Sequence, residues 1–194
     1  MLFPQVRVKI MSIPKIIHQV WLGGPVPEQQ RAWMETVKAK HPSWKYVLWD
    51  DAAVKRLATY RFLPRCVKPS SRSNVVRLDV VNTFGGVYLD ADIECLRPLD
   101  PLLEARAFAG DLTMHTYCSA VFGAEAGHNW IKRQVARLPF YVDRYPPWGP
   151  DLFSEDMTGV TIHPRHFFYP FLWDEEPVIH PESYLVHYWS RTWR

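Results

Sequence analysis

The chain has 194 residues, of which 47% are hydrophobic and 22% charged, a balance typical of one soluble domain large enough to bury its own core. A formal net charge of +3 is too weak to indicate a nucleic-acid-binding protein, although phosphate-bearing small molecules remain compatible with it. The three widely spaced cysteines fit a reducing compartment better than a disulfide framework.

The N-terminal stretch, residues 1–12, has neither the apolar core nor the cleavage site of a signal peptide. No run of the sequence has the apolar length of a membrane span. We therefore expect a cytoplasmic protein with a short tail over residues 1–12 and a single domain over residues 13–194.

Four elements are predicted in the first third of the chain. They are a strand over residues 13–21, a helix over 27–40, a strand over 44–49 and a helix over 52–63. The first strand runs into Gly23-Gly24, and open α/β sheets present nucleotide sites at such strand ends. Within this strand, His18 is predicted to be a hydrogen-bonded core residue.

The sequence SNVVRLDVVNTFGGVYLDAD, which begins at Ser73, carries the strongest signal. Apolar residues at three- and four-residue spacing predict a helix that begins near Ser71 or Ser73. Gly85-Gly86 ends that helix because glycine adopts the left-handed conformation without a Cβ clash. A short buried strand over residues 87–89 follows and leads into a pair of acids.

Asp90 and Asp92 lie on the same side of the chain if it stays extended. Two such carboxylates repel each other unless a cation lies between them, and Mg²⁺ or Mn²⁺, bound by oxygen and sharing positions with phosphate, fits that need. An isolated Asp-x-Asp is more often a solvated turn or a helix cap.

Asn74 and Arg77 lie three residues apart on one face of the preceding helix, which favours a site. A structural role for Arg77, as a salt-bridge partner of Asp79, Asp90 or Glu94, is the alternative.

The second half of the chain is predicted to hold two strands within residues 108–122, a helix over 126–138 and a final strand over 184–187. An aromatic segment follows His187 and continues to Arg194.

The sequence from Ser73 to Asp92, together with IPKIIHQVWLGG from Ile13 to Gly24, resembles the DXD-motif sugar transferases of glycosyltransferase family 32. This family includes yeast α-1,6-mannosyltransferases, and the glucosyltransferase domains of large clostridial toxins look like relatives. The resemblance implies a single GT-A-type nucleotide-diphospho-sugar transferase domain, an α/β fold with a mixed, mainly parallel sheet flanked by helices.

The implied activity is metal-dependent, retaining transfer of a hexose from a UDP- or GDP-sugar to a saccharide, glycolipid or other hydroxyl acceptor, with Mn²⁺ or Mg²⁺ as cofactor. Arg77, Asp90 and Asp92 are the implied catalytic residues. Asp92 is the most direct metal ligand, Asp90 contacts the ribose, the sugar or the metal, and His187 is the third ligand.

The resemblance also implies a set of donor-binding residues. Trp21 stacks on the base, Arg77 holds the sugar or a phosphate, and Thr192 and Trp193 close over the diphosphate. Asn74 stands where related sequences usually carry an aspartate, which puts the identity of the sugar in doubt.

Alternatives remain for several of these residues. Trp21 is otherwise a core tryptophan, and the C-terminal segment an aromatic clasp onto the core. Asn74 motivates a non-catalytic nucleotide-sugar-binding module. An Asp-x-Asp phosphohydrolase ranks lower, because its motif would follow the first strand rather than lie mid-chain.

Overall fold

A computed structural model describes residues 13–113, 116–144 and 149–190. The predicted tail over residues 1–12, Thr192 and Trp193 lie outside the described residues. The strands of the described part are β1 (Ile16–Val20), β2 (Lys45–Trp49), β3 (Gly86–Leu89), β4 (Ile93–Cys95), β5 (Ala107–Thr113), β6 (Thr116–Ala124), β7 (Thr161–His163) and β8 (Leu185–His187).

The α-helices are α1 (Glu28–Lys40), α2 (Pro69–Phe84), α3 (Asn129–Arg137) and α4 (Gly149–Ser154). Short 3₁₀ helices cover Ala53–Arg56, Ala58–Arg65, Asp100–Glu104, Leu138–Phe140 and Arg165–Phe167. No described helix combines the length and apolar character that a membrane crossing requires.

A six-stranded sheet with the order β2-β1-β3-β6-β5-β7 forms the centre of the molecule. Strand β1 pairs in parallel with both β2 and β3, β6 runs antiparallel to β3 and β5, and β7 is parallel to β5. This mixed sheet with flanking helices confirms the predicted α/β class. The carboxyl ends of β1, β2 and β3 meet at one edge, where open α/β sheets bind their ligands.

The middle strands of the central sheet are buried on both faces because their side chains alternate between two cores. In β3, Tyr88 packs into a core that also contains residues of α2 and α3. Val87 and Leu89 point to the opposite core, with Val37 of α1 and Leu185 of β8. Such double coverage explains why β3 is a continuous apolar run rather than an alternating one.

Helix α2 begins earlier than predicted. Lys68 is its N-cap and Pro69 its first residue, so Ser71 and Ser73 lie inside the helix and do not cap it. Proline suits this position because its fixed φ matches the helix and its missing N–H would have no partner there.

The helix predicted over residues 52–63 is two 3₁₀ helices separated by Leu57, which is extended. Asp79 of α2 accepts hydrogen bonds from the backbone N–H and the hydroxyl of Thr59, at 3.0 and 2.7 Å. This buried carboxylate fixes the start of the second 3₁₀ helix and stabilises the break.

The prediction for His18 is confirmed. Its side chain is 1% exposed, with Nε2 2.9 Å from the carbonyl of Gly85 and Nδ1 accepting from the indole N–H of Trp49 at 3.1 Å. Burial lowers the pKa of His18 to about 4, so the ring is neutral at pH 7. The histidine joins β1 to β2 and to the end of α2.

Candidate functional site

The acid pair lies in a turn at the end of β3. The β3–β6 ladder ends at Leu89, Asp90 donates its backbone N–H to Ala120 at 2.8 Å, and Ala91-Asp92 form the turn. The prediction that the chain stays extended through the acids is therefore wrong, because β4 leaves the central sheet to pair with β8.

Asp90, Asp92 and His187 nevertheless meet. Each offers a ligand atom, and these atoms lie within 4.8 Å of one another. The register of the small sheet explains this meeting, since Ile93, next to Asp92, pairs directly with His187. We call these three residues the acid–histidine cluster.

Both carboxylate oxygens of Asp92 have polar neighbours. Its Oδ1 lies 3.1 Å from Nε2 of His187, and its Oδ2 accepts from the N–H of Ser190 at 2.8 Å and from the Ser190 hydroxyl at 3.0 Å. Burial acts to raise the pKa of Asp92, but His187 and Ser190 outweigh it and lower the pKa to about 2. Asp92 is consequently ionised at neutral pH.

Asp90 has different surroundings. Its Oδ1 lies 2.9 Å from Nη2 of Arg77 and accepts a hydrogen bond from the Tyr88 hydroxyl at 2.6 Å. Burial raises the pKa of Asp90, and the Arg77 charge opposes that rise. No described residue donates to Oδ2 of Asp90, so this oxygen remains available to a ligand.

Arg77 is 6% exposed, and its five N–H groups all have protein acceptors. Nη1 donates to the carbonyl and the hydroxyl of Ser119 at 2.7 and 2.9 Å. Nη2 contacts Asp90 and the Ser73 hydroxyl, and Nε donates to the Ser73 carbonyl. The guanidinium also lies 4.7 Å from the ring centre of Tyr88. Of the three predicted partners of Arg77, the structure pairs it with Asp90.

Two further predicted residues lie near this edge of the sheet. Trp21 directly follows β1, is partly buried, and donates its backbone N–H to Trp49 at 3.0 Å. Asn74 lines a small cavity together with Arg77, Ser119 and Gly149. A second cavity, of about 380 Å³, is lined by Leu22, Asp51, Val54, Lys55, Tyr60, Leu63, Pro64 and Arg72.

Three residues that contact the acids or Arg77 were missed in the sequence. Tyr88 lies two residues before Asp90, so strand alternation was a usable signal for it. Ser119 and Ser190 had no such signal, because they lie 42 residues from Arg77 and 98 residues from Asp92.

The acid–histidine cluster fits a divalent cation. Two carboxylates and an imidazole suit Mn²⁺ or Mg²⁺ in an oxygen-rich site. Neighbouring ligand atoms around an octahedral ion with bonds of about 2.1 Å lie about 3 Å apart, close to the 3.1 Å between Asp92 and His187. The Nε2 atom of His187 faces the acids, while Nδ1 is buried without a partner among the described residues.

Comparison with solved structures places the fold among the glycosyltransferases. The PaToxG glycosyltransferase superposes with a TM-score of 0.62 at 15% identity, covering 75% of this chain and 69% of that one. At this identity the likeness concerns the fold alone, which is the predicted GT-A type.

The sequence itself was compared with models of protein families. Residues 27–109 match the family model described as "Glycosyltransferase sugar-binding region containing DXD motif". The match confirms the predicted resemblance to that family, and it includes Asp90-Ala91-Asp92, which has the DXD sequence.

Two curated relatives are fungal. Inositol phosphoceramide mannosyltransferase 3 of Schizosaccharomyces pombe is 32% identical over 143 residues, which cover 69% of this chain and 39% of the relative. A mannosyl phosphorylinositol ceramide synthase of Saccharomyces cerevisiae is 29% identical over 148 residues, covering 73% of this chain and 38% of the relative. The chain thus spans about two fifths of the length of these relatives.

Proposed function

We propose that this chain is a metal-dependent glycosyltransferase that moves a hexose from a UDP- or GDP-sugar to a hydroxyl acceptor. The observation that carries the proposal is the meeting of Asp90, Asp92 and His187 within 4.8 Å at the end of β3. The family match of residues 27–109 supports the same activity.

Mannose is the first candidate for the transferred sugar, since two relatives are named for mannosyl transfer. Those names also contain inositol phosphoceramide or phosphorylinositol ceramide, so a glycolipid is the first acceptor class and a free saccharide the second. By the family resemblance, Asn74 stands where related sequences usually carry an aspartate, and we propose that the choice of sugar depends on this residue.

Asp92 and His187, with Oδ2 of Asp90, would hold Mn²⁺ or Mg²⁺. When bound, the ion supplies positive charge that stabilises the diphosphate as the sugar–phosphate bond breaks. Ser190 and His187 keep Asp92 ionised, so the carboxylate is ready to bind a cation at neutral pH.

Arg77 acts as a positioning residue in this proposal. Its five N–H groups are directed at Ser73, Asp90 and Ser119, which favours orientation of Asp90 over direct contact with the donor. Retention of configuration is proposed from the family resemblance, with the acceptor attacking from the face that the nucleotide leaves. The anomeric configuration of the product, read by proton NMR, tests this step.

Donor hydrolysis is the direct test of the activity. Purified protein is incubated with Mn²⁺ and a panel of UDP- and GDP-hexoses, including GDP-mannose, and nucleotide release is measured. Release that falls at least about 100-fold in Asp92→Asn, and persists in Asp156→Asn, supports the proposal. Asp156 is a suitable control because it is an exposed acid paired with Arg133.

A non-catalytic nucleotide-sugar-binding module is the second candidate, favoured by the neutral side chain of Asn74. Tight donor binding without nucleotide release under any metal condition would support the module and contradict the enzyme.

A further inference from the structure

A tryptophan beside the acid–histidine cluster is held in an exposed position. Trp173 is 54% exposed, and its ring meets that of Trp189 edge to face, with 5.4 Å between centroids. The Trp189 ring lies 4.0 Å from that of His187. Trp173 is therefore two ring contacts away from a residue of the cluster.

The turn that carries Trp173 is fixed on both sides. Glu175 accepts the backbone N–H of Leu172 at 2.9 Å and pairs with Arg165 at 2.8 Å. The indole N–H of Trp189 donates to the carbonyl of Phe171 at 2.9 Å. Because Phe171 and Leu172 are buried, the exposed indole is positioned by packed neighbours.

The surface around Trp173 combines an aromatic ring with available carboxylates. Asp174 and Glu176 are exposed, and neither has an ion pair or hydrogen bond within the described part of the chain. A pyranose ring has an apolar C–H face and a rim of hydroxyls. An aromatic ring packs against the face, and carboxylates accept hydrogen bonds from the rim.

A lipid surface fits this composition less well. Tryptophan is common at bilayer interfaces, but three acids, Asp174, Glu175 and Glu176, directly follow Trp173. The cytoplasmic leaflet carries anionic lipids that attract basic segments and would repel these acids.

We propose that Trp173 is the stacking platform for a sugar ring of the acceptor, with Asp174 and Glu176 accepting hydrogen bonds from its hydroxyls. This inference rests on the proposed function, since it makes the bound saccharide an acceptor for the sugar released at the acid–histidine cluster.

Methyl α-D-mannopyranoside is the probe for this platform, and its binding is measured by saturation-transfer NMR. The variants are Trp173→Ala, Trp173→Phe and the double change Asp174→Asn/Glu176→Gln. Phe140→Ala is the matched control, because Phe140 is a 72% exposed aromatic residue in the 3₁₀ helix Leu138–Phe140, which does not carry Trp173. Donor hydrolysis without acceptor and the KM for the probe in transfer are measured in parallel.

We expect Trp173→Ala and the double variant to weaken probe binding and raise the KM about tenfold, equivalent to about 1.4 kcal/mol. Trp173→Phe keeps an aromatic face and should stay within about threefold of the wild type. Donor hydrolysis should be unchanged in all four proteins, which also shows that they are folded.

The two proposals fail in different ways. Unchanged probe binding and KM in Trp173→Ala, with normal donor hydrolysis, would overturn the platform and leave the transferase intact. Probe binding that depends on Trp173 without any donor hydrolysis by the wild type would support the platform and contradict the transferase. Binding to phosphatidylcholine vesicles that is lost in Trp173→Ala, with probe binding unchanged, would overturn the platform in favour of a membrane contact.

Discussion

Asp90 and Asp92 are separated by one residue but have opposite electrostatic surroundings. Burial raises the pKa of Asp90, and its Oδ1 is occupied by Arg77 and Tyr88. His187 and Ser190 lower the pKa of Asp92 to about 2 despite its burial. This difference assigns separate roles, with Asp92 as the ionised ligand and Asp90 as the residue whose position depends on a neighbouring guanidinium.

The ion pair between Arg77 and Asp90 provides the first prediction. Arg77→Ala removes the buried guanidinium that neutralises the partly buried Asp90 carboxylate and that donates to the Ser119 carbonyl, so the free energy of unfolding in urea at pH 7 should fall by about 3 kcal/mol. Lys15→Ala breaks a pair in which both side chains are more than a third exposed, and should cost less than about 1 kcal/mol. Equal losses in the two variants would contradict a structural role for the pair of Arg77 and Asp90.

If Arg77→Ala does not fold, Arg77→Lys provides a second test of the same pair. Lysine keeps the charge but cannot reach Ser119 and Asp90 at once, since it lacks the planar fork. Donor hydrolysis should drop at least about tenfold in a protein that melts cooperatively. Wild-type hydrolysis in Arg77→Lys would show that orientation of Asp90 by the fork is not needed.

At the scale of elements, the buried His18 of β1 makes the packing of β1 against β2 and the end of α2 dependent on pH. His18 bonds to Gly85 at the end of α2 and to Trp49 of β2. Its pKa is 6.5 in the unfolded chain and about 4 in the folded one. Between these values the unfolded state binds more protons, so stability present at pH 7 is lost as the pH falls from 6.5 to 4.

We therefore expect the wild type to lose about 3 kcal/mol of unfolding free energy over that window from this residue. His18→Gln cannot titrate there and should show a flatter dependence in urea titrations at several pH values. His180→Gln, a change at an exposed histidine, should keep the wild-type slope. If the unfolding free energy of His18→Gln changed with pH as steeply as that of the wild type, the pH dependence would not come from His18.

Helices α2 and α4 meet where Asn74 faces Gly149. A Cβ on Gly149 would lie 2.4 Å from the Asn74 amide nitrogen, so Gly149→Ala must push that flexible amide aside. Donor hydrolysis should then change by about the same factor in Gly149→Ala, in Asn74→Ala and in the double variant, because contacting residues are not additive. Additive effects on the logarithm of the rate would show that Gly149 does not act through Asn74.

The helices and strands that were predicted correctly are those whose sequence signals lie within the element or directly beside it. The spacing of apolar residues located α1, α2 and β3, and the Gly85-Gly86 pair located the end of α2. The break at Leu57 was missed because it depends on Asp79, which lies 20 residues from its partner Thr59. A single sequence without an alignment carries no signal for such a contact.

For the whole molecule, the central question is how two distant segments form one site. The acids of the cluster were evident from Asp90-Ala91-Asp92, and His187 was reached only through a family resemblance. Their meeting depends on the pairing of β4 with β8, two strands outside the central sheet whose paired residues lie 90 to 94 positions apart in the sequence. Ser190, which donates to Asp92, follows β8 in the chain and is brought to the acid by the same strand pairing. Neither contact could be predicted from periodicity.

Mn²⁺ binding, followed by the loss of the free-ion signal in electron paramagnetic resonance, tests the account most directly. The proteins compared are the wild type, Asp92→Asn, His187→Gln and the control Glu94→Gln. Glu94 is a partly exposed carboxylate two residues after Asp92 and accepts a hydrogen bond from the Tyr188 hydroxyl. We predict one bound ion in the wild type and the control, and affinity at least about tenfold weaker in the other two. Equal Mn²⁺ affinity in all four proteins, or no Mn²⁺ binding by the wild type even with UDP or GDP present, would contradict the proposed metal site.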